Sequence, residues 1–314
     1  MELPGNKILN TAKAWLSLIR FPNLFTVPGD AIFAYLVVNG RPESPNFIYM
    51  ILSVVSCYIF GLVTNDIVDY GTDMKERPGR PLPAGLISIG AAKFAAFVFG
   101  GAGLLSAFLC GPRTFSVALA LILVIIGYNC IFKHVRLLGP SALAMCRLLG
   151  FAIGLFAAHS NVLSSYVFYP AVFFLLIYVF GFSVSAQVET EEGSKRTVLA
   201  GGWIILCCSI LWLASGWYIS MKVDGISVMG EMTPSICFAA CLAAIMLLST
   251  LKNVLKMHLS YRTSAVPPFI GESIRNLIIF QASACAFAGF LNAACIVAIL
   301  FIPAWILSKI YYQS

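Results

Sequence analysis

Nine times along this chain the sequence runs for about twenty residues with almost no charge, the length that carries an α-helix across a bilayer. The apolar runs fall at roughly 24–40, 47–64, 89–110, 114–132, 140–159, 166–186, 199–221, 234–251 and 278–302. Only 11% of the 314 residues are charged and 60% are hydrophobic, against roughly 25% charged in an ordinary soluble domain. The pattern predicts an all-α, polytopic membrane protein: a nine-helix bundle over residues 24–314, preceded by an N-terminal segment, 1–23. The first run is the weakest, because Pro28 and Asp30 interrupt it.

The N-terminal segment has no apolar stretch followed by a small-residue cleavage site, so it does not read as a signal peptide. Trp15, Leu16, Leu18 and Ile19 on one side and Lys7, Lys13 and Arg20 among its charges read as an interfacial amphipathic helix. With the N-terminus inside, fifteen Lys and Arg fall on the inner side, and four (Arg41, Arg113, Lys222, Lys309) on the outer, with Arg147 inside the fifth run. That asymmetry predicts a cytoplasmic N-terminus. It also accounts for the formal net charge of +7 without a nucleic-acid partner. The ten cysteines lie almost all within apolar runs and the three histidines are scattered. Neither set has metal-ligand spacing, and the cysteines read as small apolar residues.

The thirteen acids are distributed unevenly: seven lie in two short segments, Asp66, Asp69, Asp73 and Glu76 after the second run and Glu189, Glu191 and Glu192 after the sixth. Both segments follow an even-numbered run and so face the cytoplasm, where they can meet. If the second helix continues past the hydrocarbon, Asn65, Asp66, Asp69 and Asp73 form one stripe about 12 Å long. Like charges at that spacing repel and call for a positive partner. Hard oxygen donors suit Mg²⁺, which is held by one or two carboxylates and by substrate phosphates. Arg77 and Arg80 follow at once in "ERPGRPLPAG", and arginines beside a metal site make a diphosphate grip.

Asn65-Asp66-x-x-Asp69-x-x-x-Asp73 followed by "RPGRPLPAG" resembles the first motif of the UbiA superfamily of intramembrane aromatic prenyltransferases. "IRFPNLFTVPGD", "YNCIFK" and "GSKRT" resemble further elements of that family. The resemblance implies a central chamber open to lipid under cytoplasmic cap loops. It implies a reaction in which a prenyl diphosphate ionises and the allylic cation alkylates a lipophilic, often aromatic, acceptor. By position, Asn65 and Asp69 would hold Mg²⁺ with Asp66 and Asp73 in support, and Glu189 and Glu192 would serve a second site. Arg77, Arg80, Lys133 and Lys195 would contact diphosphate, and Arg20 and Asn23 would border the chamber. Tyr128 is placed near the reacting centre, with packing as its alternative role. Asp69, Asp73, Lys133 and Tyr128 form the expected catalytic set. The loop from Lys252 to Arg275 is expected to cap the chamber.

One departure stands out. Counted back from Gly193, Lys195 and Thr197, the family's second acidic motif would place aspartates at 185 and 189, where this chain has Ser185 and Glu189. Glu191 and Glu192, and the amide oxygen of Gln187, are the candidate compensating donors; the alternative is a catalytically weak family member that binds a prenyl diphosphate or lipid as a carrier or assembly component. An ion-coupled transporter is disfavoured, since of the acids only Asp30 reads as embedded.

Overall fold

The computed structural model describes residues 4–42, 44–158, 168–187, 195–224 and 233–311. These residues form helices α1 (Pro4–Leu18), α2 (Phe21–Leu24), α3 (Pro28–Asn39), α4 (Pro45–Glu76), α5 (Ile89–Cys110), α6 (Pro112–Cys130) and α7 (Leu138–Ala157). They continue as α8 (Phe168–Ala186), α9 (Lys195–Asp224), α10 (Thr233–Leu259), α11 (Val266–Phe287), α12 (Leu291–Ile299) and α13 (Phe301–Tyr311). Nine helices or helix pairs among the described residues are long and apolar enough to cross a membrane, α2–α3 and α12–α13 each counting as one.

The ninth crossing differs from the expected 278–302. That range straddles a break, where the amide of Gly289 donates to Ala286 O and that of Phe290 to Cys285 O, with Gly289 at φ +87°. This is a Schellman stop, and the positive φ favours glycine. The apolar crossing is Leu291–Ile310. In front of it stands α11, equally long but too polar to pass alone, because it carries Glu272, Arg275, Asn276 and Gln281. It is enclosed by α3, α8, α9 and α10, and most of its residues are buried. The expected polar cap loop 252–275 is likewise mostly helix, with a short connection between Leu259 and Val266. After the stop the chain turns back until α13 packs against α2. Lys309, assigned above to the outer side, therefore returns to the side of the N-terminal helix.

Helix α4 positions the site. Ser44 caps it, its hydroxyl accepting from the Asn46 amide, and Pro45 opens it. Its 32 residues extend about 48 Å, roughly 18 Å more than the hydrocarbon thickness. The last turns, which carry the acids, thus stand beyond the apolar zone. Segment 77–88 folds back on them in tight turns, with Gly85 at φ +70° and Leu82 and Ile87 buried. Ala14 and Leu18 of α1 pack into the same small core with Ile59, Val63, Ala92 and Ala96. The N-terminal helix is thus docked on α4 and α5, not confined to a lipid surface.

Elsewhere the helices approach closely at small residues. A Cβ on Gly154 of α7 would lie 2.2 Å from Ala31 O of α3, and one on Gly201 of α9 would lie 2.3 Å from Gly181 O of α8. Trp212 lies fully buried against Phe280 (4.5 Å between ring centroids) and donates its Nε1–H to Ser283 Oγ at 2.9 Å.

Candidate active site

A chamber of about 520 Å³ opens between α2–α3, α4, α6, α7, α8 and α11. Of the residues expected at the site, Arg20, Asn23, Asn65, Asp69, Asp73, Arg77, Arg80, Tyr128 and Lys133 all line it. They gather at its mouth from four separate parts of the chain. Deeper in, Val54, Leu121, Ile125, Val179 and Phe182 make apolar walls.

Local structure aims each group. Asn65, Asp69, Asp73 and Glu76 recur every three or four residues on α4, so one face of the helix presents them all. Arg80 reaches back from the folded 77–88 segment, with Nη1 at 2.6 Å from Asp73 Oδ2 and 3.9 Å from Asp66 Oδ1. Lys133 comes from a 3-10 turn, Phe132–His134, and its Nζ pairs with Asp69 Oδ1. The turn can close because Phe132 lies over Gly127, where a Cβ would meet its ring at 2.7 Å. Asn65 Nδ2 donates to Asp69 Oδ2 at 3.1 Å. Asn129 of α6 donates to Thr64 Oγ1 at 2.8 Å and to Gly61 O at 3.1 Å, which ties α6 to α4 just below the acids. Arg20 joins α1 to α2 with φ 45°, the only positive φ among described non-glycine residues. That conformation costs about 1–3 kcal/mol and accompanies its placement on the chamber lining.

Asp66 is buried off the chamber, held by Asn65 and Arg80. Its carboxylate stands beside Arg80 and is not on the chamber lining. Lys195 is exposed at the first residue of α9 and is not on the chamber lining. Glu189, Glu191 and Glu192 lie outside the described residues. Ser185, where the family resemblance places an aspartate, points away from the chamber. It is fully buried, its hydroxyl donates to Val198 O at 3.1 Å, and it sits against Gly201. On α8 the chamber face is Val179, Phe182 and Ala186, so a carboxylate at 185 would point at α9. The sequence reading also passed over a polar group inside the bundle: Arg147 Nη1 is 3.0 Å from Asp30 Oδ2, and both residues line the chamber. An arginine within an apolar run was the available signal.

Among the described residues no three His, Cys, Asp or Glu converge as a ready-made metal cage. The donor chemistry nevertheless fits Mg²⁺. Asn65, Asp69 and Asp73 offer hard oxygens on one face at the chamber mouth, and Mg²⁺ is held by one or two carboxylates completed by substrate phosphates. Of the three carboxylates lining the mouth, Asp69 is paired with Lys133 and Asp73 with Arg80, while Glu76 lies on the same face of α4.

The sequence profile of the UbiA prenyltransferase family matches residues 25–266. The chain belongs to the UbiA prenyltransferase family. It is 30% identical over 190 residues to the digeranylgeranylglyceryl phosphate synthase of Sulfolobus acidocaldarius, covering 59% of this chain and 66% of that protein. It is 27% identical over 202 residues to the enzyme of the same name from Hyperthermus butylicus, covering 62% and 67%. The matched stretch thus spans about two thirds of these relatives. Among solved structures, the apo UbiA homologue of Aeropyrum pernix K1 superposes with a TM-score of 0.61 at 18% identity, over 83% of this chain and 96% of that one. A UbiA homologue from Archaeoglobus fulgidus bound to GPP and Mg²⁺ gives 0.56 at 18% identity, over 88% and 99%. These likenesses show that the bundle has the UbiA fold.

Proposed function

We propose that this UbiA-family protein uses Mg²⁺ to transfer a prenyl group from a prenyl diphosphate to a lipophilic acceptor within the membrane. The observation that carries the reading is one chamber whose mouth gathers Asn65, Asp69 and Asp73 with Arg20, Arg77, Arg80 and Lys133, above apolar walls. The Mg²⁺-bound and GPP-bound state of the Archaeoglobus fulgidus homologue supports it.

In this reading Asn65, Asp69 and Asp73 would hold the metal, which when bound supplies positive charge to the diphosphate oxygens. Lys133 and Arg80 exchange their carboxylate partners for those oxygens, so that the cations already sit where negative charge develops as the C–O bond breaks. Arg20 and Arg77 extend the same grip. Val54, Leu121, Ile125 and Phe182 surround the prenyl chain and keep water from the allylic cation. Tyr128, half-buried on the lining, presents its ring to the reacting end. The excess of Lys and Arg on the side of the N-terminus supports a mouth at the cytoplasmic face.

For the acceptor, the names of the two relatives favour a glyceryl phosphate lipid over the aromatic ring expected from the family resemblance. The test is pyrophosphate release from geranyl to long-chain diphosphates by the protein in lipid, with each acceptor class, with Mg²⁺ and with EDTA. Metal-dependent release is the expected result. Tight binding of the diphosphate with no release under any acceptor would replace this reading with a prenyl-lipid binding protein.

A further inference from the structure

Below the charged mouth the chamber holds a second polar station. Arg147 projects from α7 nine residues after its first residue, Leu138, about 13 Å along the helix. Its Nη1 donates to Asp30 Oδ2 at 3.0 Å and to Thr26 O at 2.8 Å, and its Nη2 donates to Thr26 Oγ1 at 2.8 Å. Gln281 of α11 donates to the same Thr26 carbonyl at 2.8 Å. The guanidinium is thus fixed by Asp30 of α3 and by Thr26 of the α2–α3 connection, whose carbonyl Gln281 of α11 also holds. A guanidinium has five N–H groups. Among the described residues Nε–H and the second Nη2–H of Arg147 find no partner, while its side chain keeps 16% exposure on the chamber lining.

Two considerations give this station an occupant. A buried ion pair contributes little net stability compared with apolar residues of the same shape, and ionisable groups inside a membrane bundle mark substrate sites by default. The second consideration is chemical. A prenyl diphosphate carries its polar atoms at one end, which the mouth grips, and the rest of it is hydrocarbon. A polar group that reaches Arg147 therefore belongs to the other substrate. The station is formally neutral, since Asp30 already balances Arg147, whereas Arg20, Arg77, Arg80 and Lys133 at the mouth are suited to phosphate. A neutral group that both accepts from a guanidinium N–H and donates to a carboxylate oxygen is a hydroxyl.

We infer that the Asp30–Arg147 pair is an acceptor-binding subsite that takes an uncharged hydroxyl of the lipophilic acceptor, accepting from Arg147 and donating to Asp30. The inference rests on the prenyl-transfer reading for the identity of the second substrate. The hydroxyl has two possible sources, an alcohol on a glycerol backbone or a phenol.

The test measures binding of 1-O-dodecylglycerol beside its dimethyl ether, of 4-nonylphenol beside its methyl ether, and of dodecyl phosphate. The protein is held in lipid nanodiscs with Mg²⁺ and geranyl thiodiphosphate, and empty nanodiscs are subtracted. At least one hydroxyl probe is expected to bind about tenfold or more tightly than its ether, the scale of hydrogen bonds to charged groups. Which of the two does so identifies the source. The preference should vanish in Arg147→Met and in Asp30→Asn, while Mg²⁺-dependent geranyl diphosphate binding stays within about twofold. Equal binding of hydroxyl and ether to the wild-type protein overturns the inference, and so does binding of dodecyl phosphate that is lost in Arg147→Met or a hydroxyl preference that survives Arg147→Met. If the variants do not fold, the wild-type comparison decides alone. Wild-type protein that binds hydroxyl probes selectively but no geranyl diphosphate would instead refute the prenyl-transfer reading.

Discussion

Replacing Ser185 by aspartate separates the structure from the motif alignment. By alignment the substitution restores a missing metal ligand and should raise Mg²⁺-dependent activity. By structure it should do harm. Ser185 has no solvent exposure, and its Oγ lies 3.1 Å from Val198 O and 3.5 Å from Gly181 O. Both neighbours are hydrogen-bond acceptors, so a carboxylate there faces two carbonyl oxygens. The adjacent glycine pair, Gly181 and Gly201, already brings the two backbones into contact. An unpaired buried charge destabilises by about 3–5 kcal/mol. At about 2–4 °C per kcal/mol, the apparent melting temperature in detergent should fall by roughly 6–20 °C. Ser185→Ala, which loses one hydrogen bond, should cost about 1 kcal/mol, and Ala186→Asp, on the chamber face, should be tolerated better than Ser185→Asp. Thermal unfolding followed by tryptophan fluorescence reads all three, beside pyrophosphate release. Wild-type stability together with raised Mg²⁺-dependent release in Ser185→Asp would refute the placement of this residue.

Asp69→Asn removes both the candidate metal ligand and the partner of Lys133. Pyrophosphate release should fall by about 10²–10³, with the melting temperature nearly unchanged because the residue lies at the open mouth. Arg80→Met should lower kcat/KM for prenyl diphosphate with kcat itself reduced, and full retention of both constants would remove Arg80 from the grip. Gly154→Val inserts carbon against the backbone of Ala31, which cannot yield as a side chain would, and should destabilise by about 1–3 kcal/mol or more; unchanged unfolding would show that α3 and α7 are less tightly joined than described.

What the sequence made legible follows from what periodicity and charge can report. Long apolar runs mark helices whatever they pack against, so α4 to α10 stand close to where hydropathy places them. Helix α11 was misread because Glu272, Arg275, Asn276 and Gln281 lower its hydropathy, and only enclosure by its neighbours makes those residues admissible. The acid stripe on α4 was legible because its spacing repeats within one helix. The Arg80 and Lys133 partners fit the same charge logic. The orientation of Ser185 was not legible, because a one-residue change of position on a helix is a rotation of about 100°, and nothing in the local sequence fixed the phase of α8. The Asp30–Arg147 pair joins residues 117 positions apart, a contact that no local pattern encodes.

The unbroken course of α4 has a mechanical consequence. Apolar wall and charged mouth are painted on a single rod, Val54, Tyr58, Gly61 and Leu62 below and Asn65, Asp69 and Asp73 above, so the two cannot be adjusted separately. One residue inserted between them would swing the entire acid stripe by about 100° and turn Asp69 away from the cavity that the lower turns still line. The Asn129 amide, seated on Gly61 O and Thr64 Oγ1 at the junction, acts as a detent against that rotation, and the alignment of chemistry with container is held as an angle.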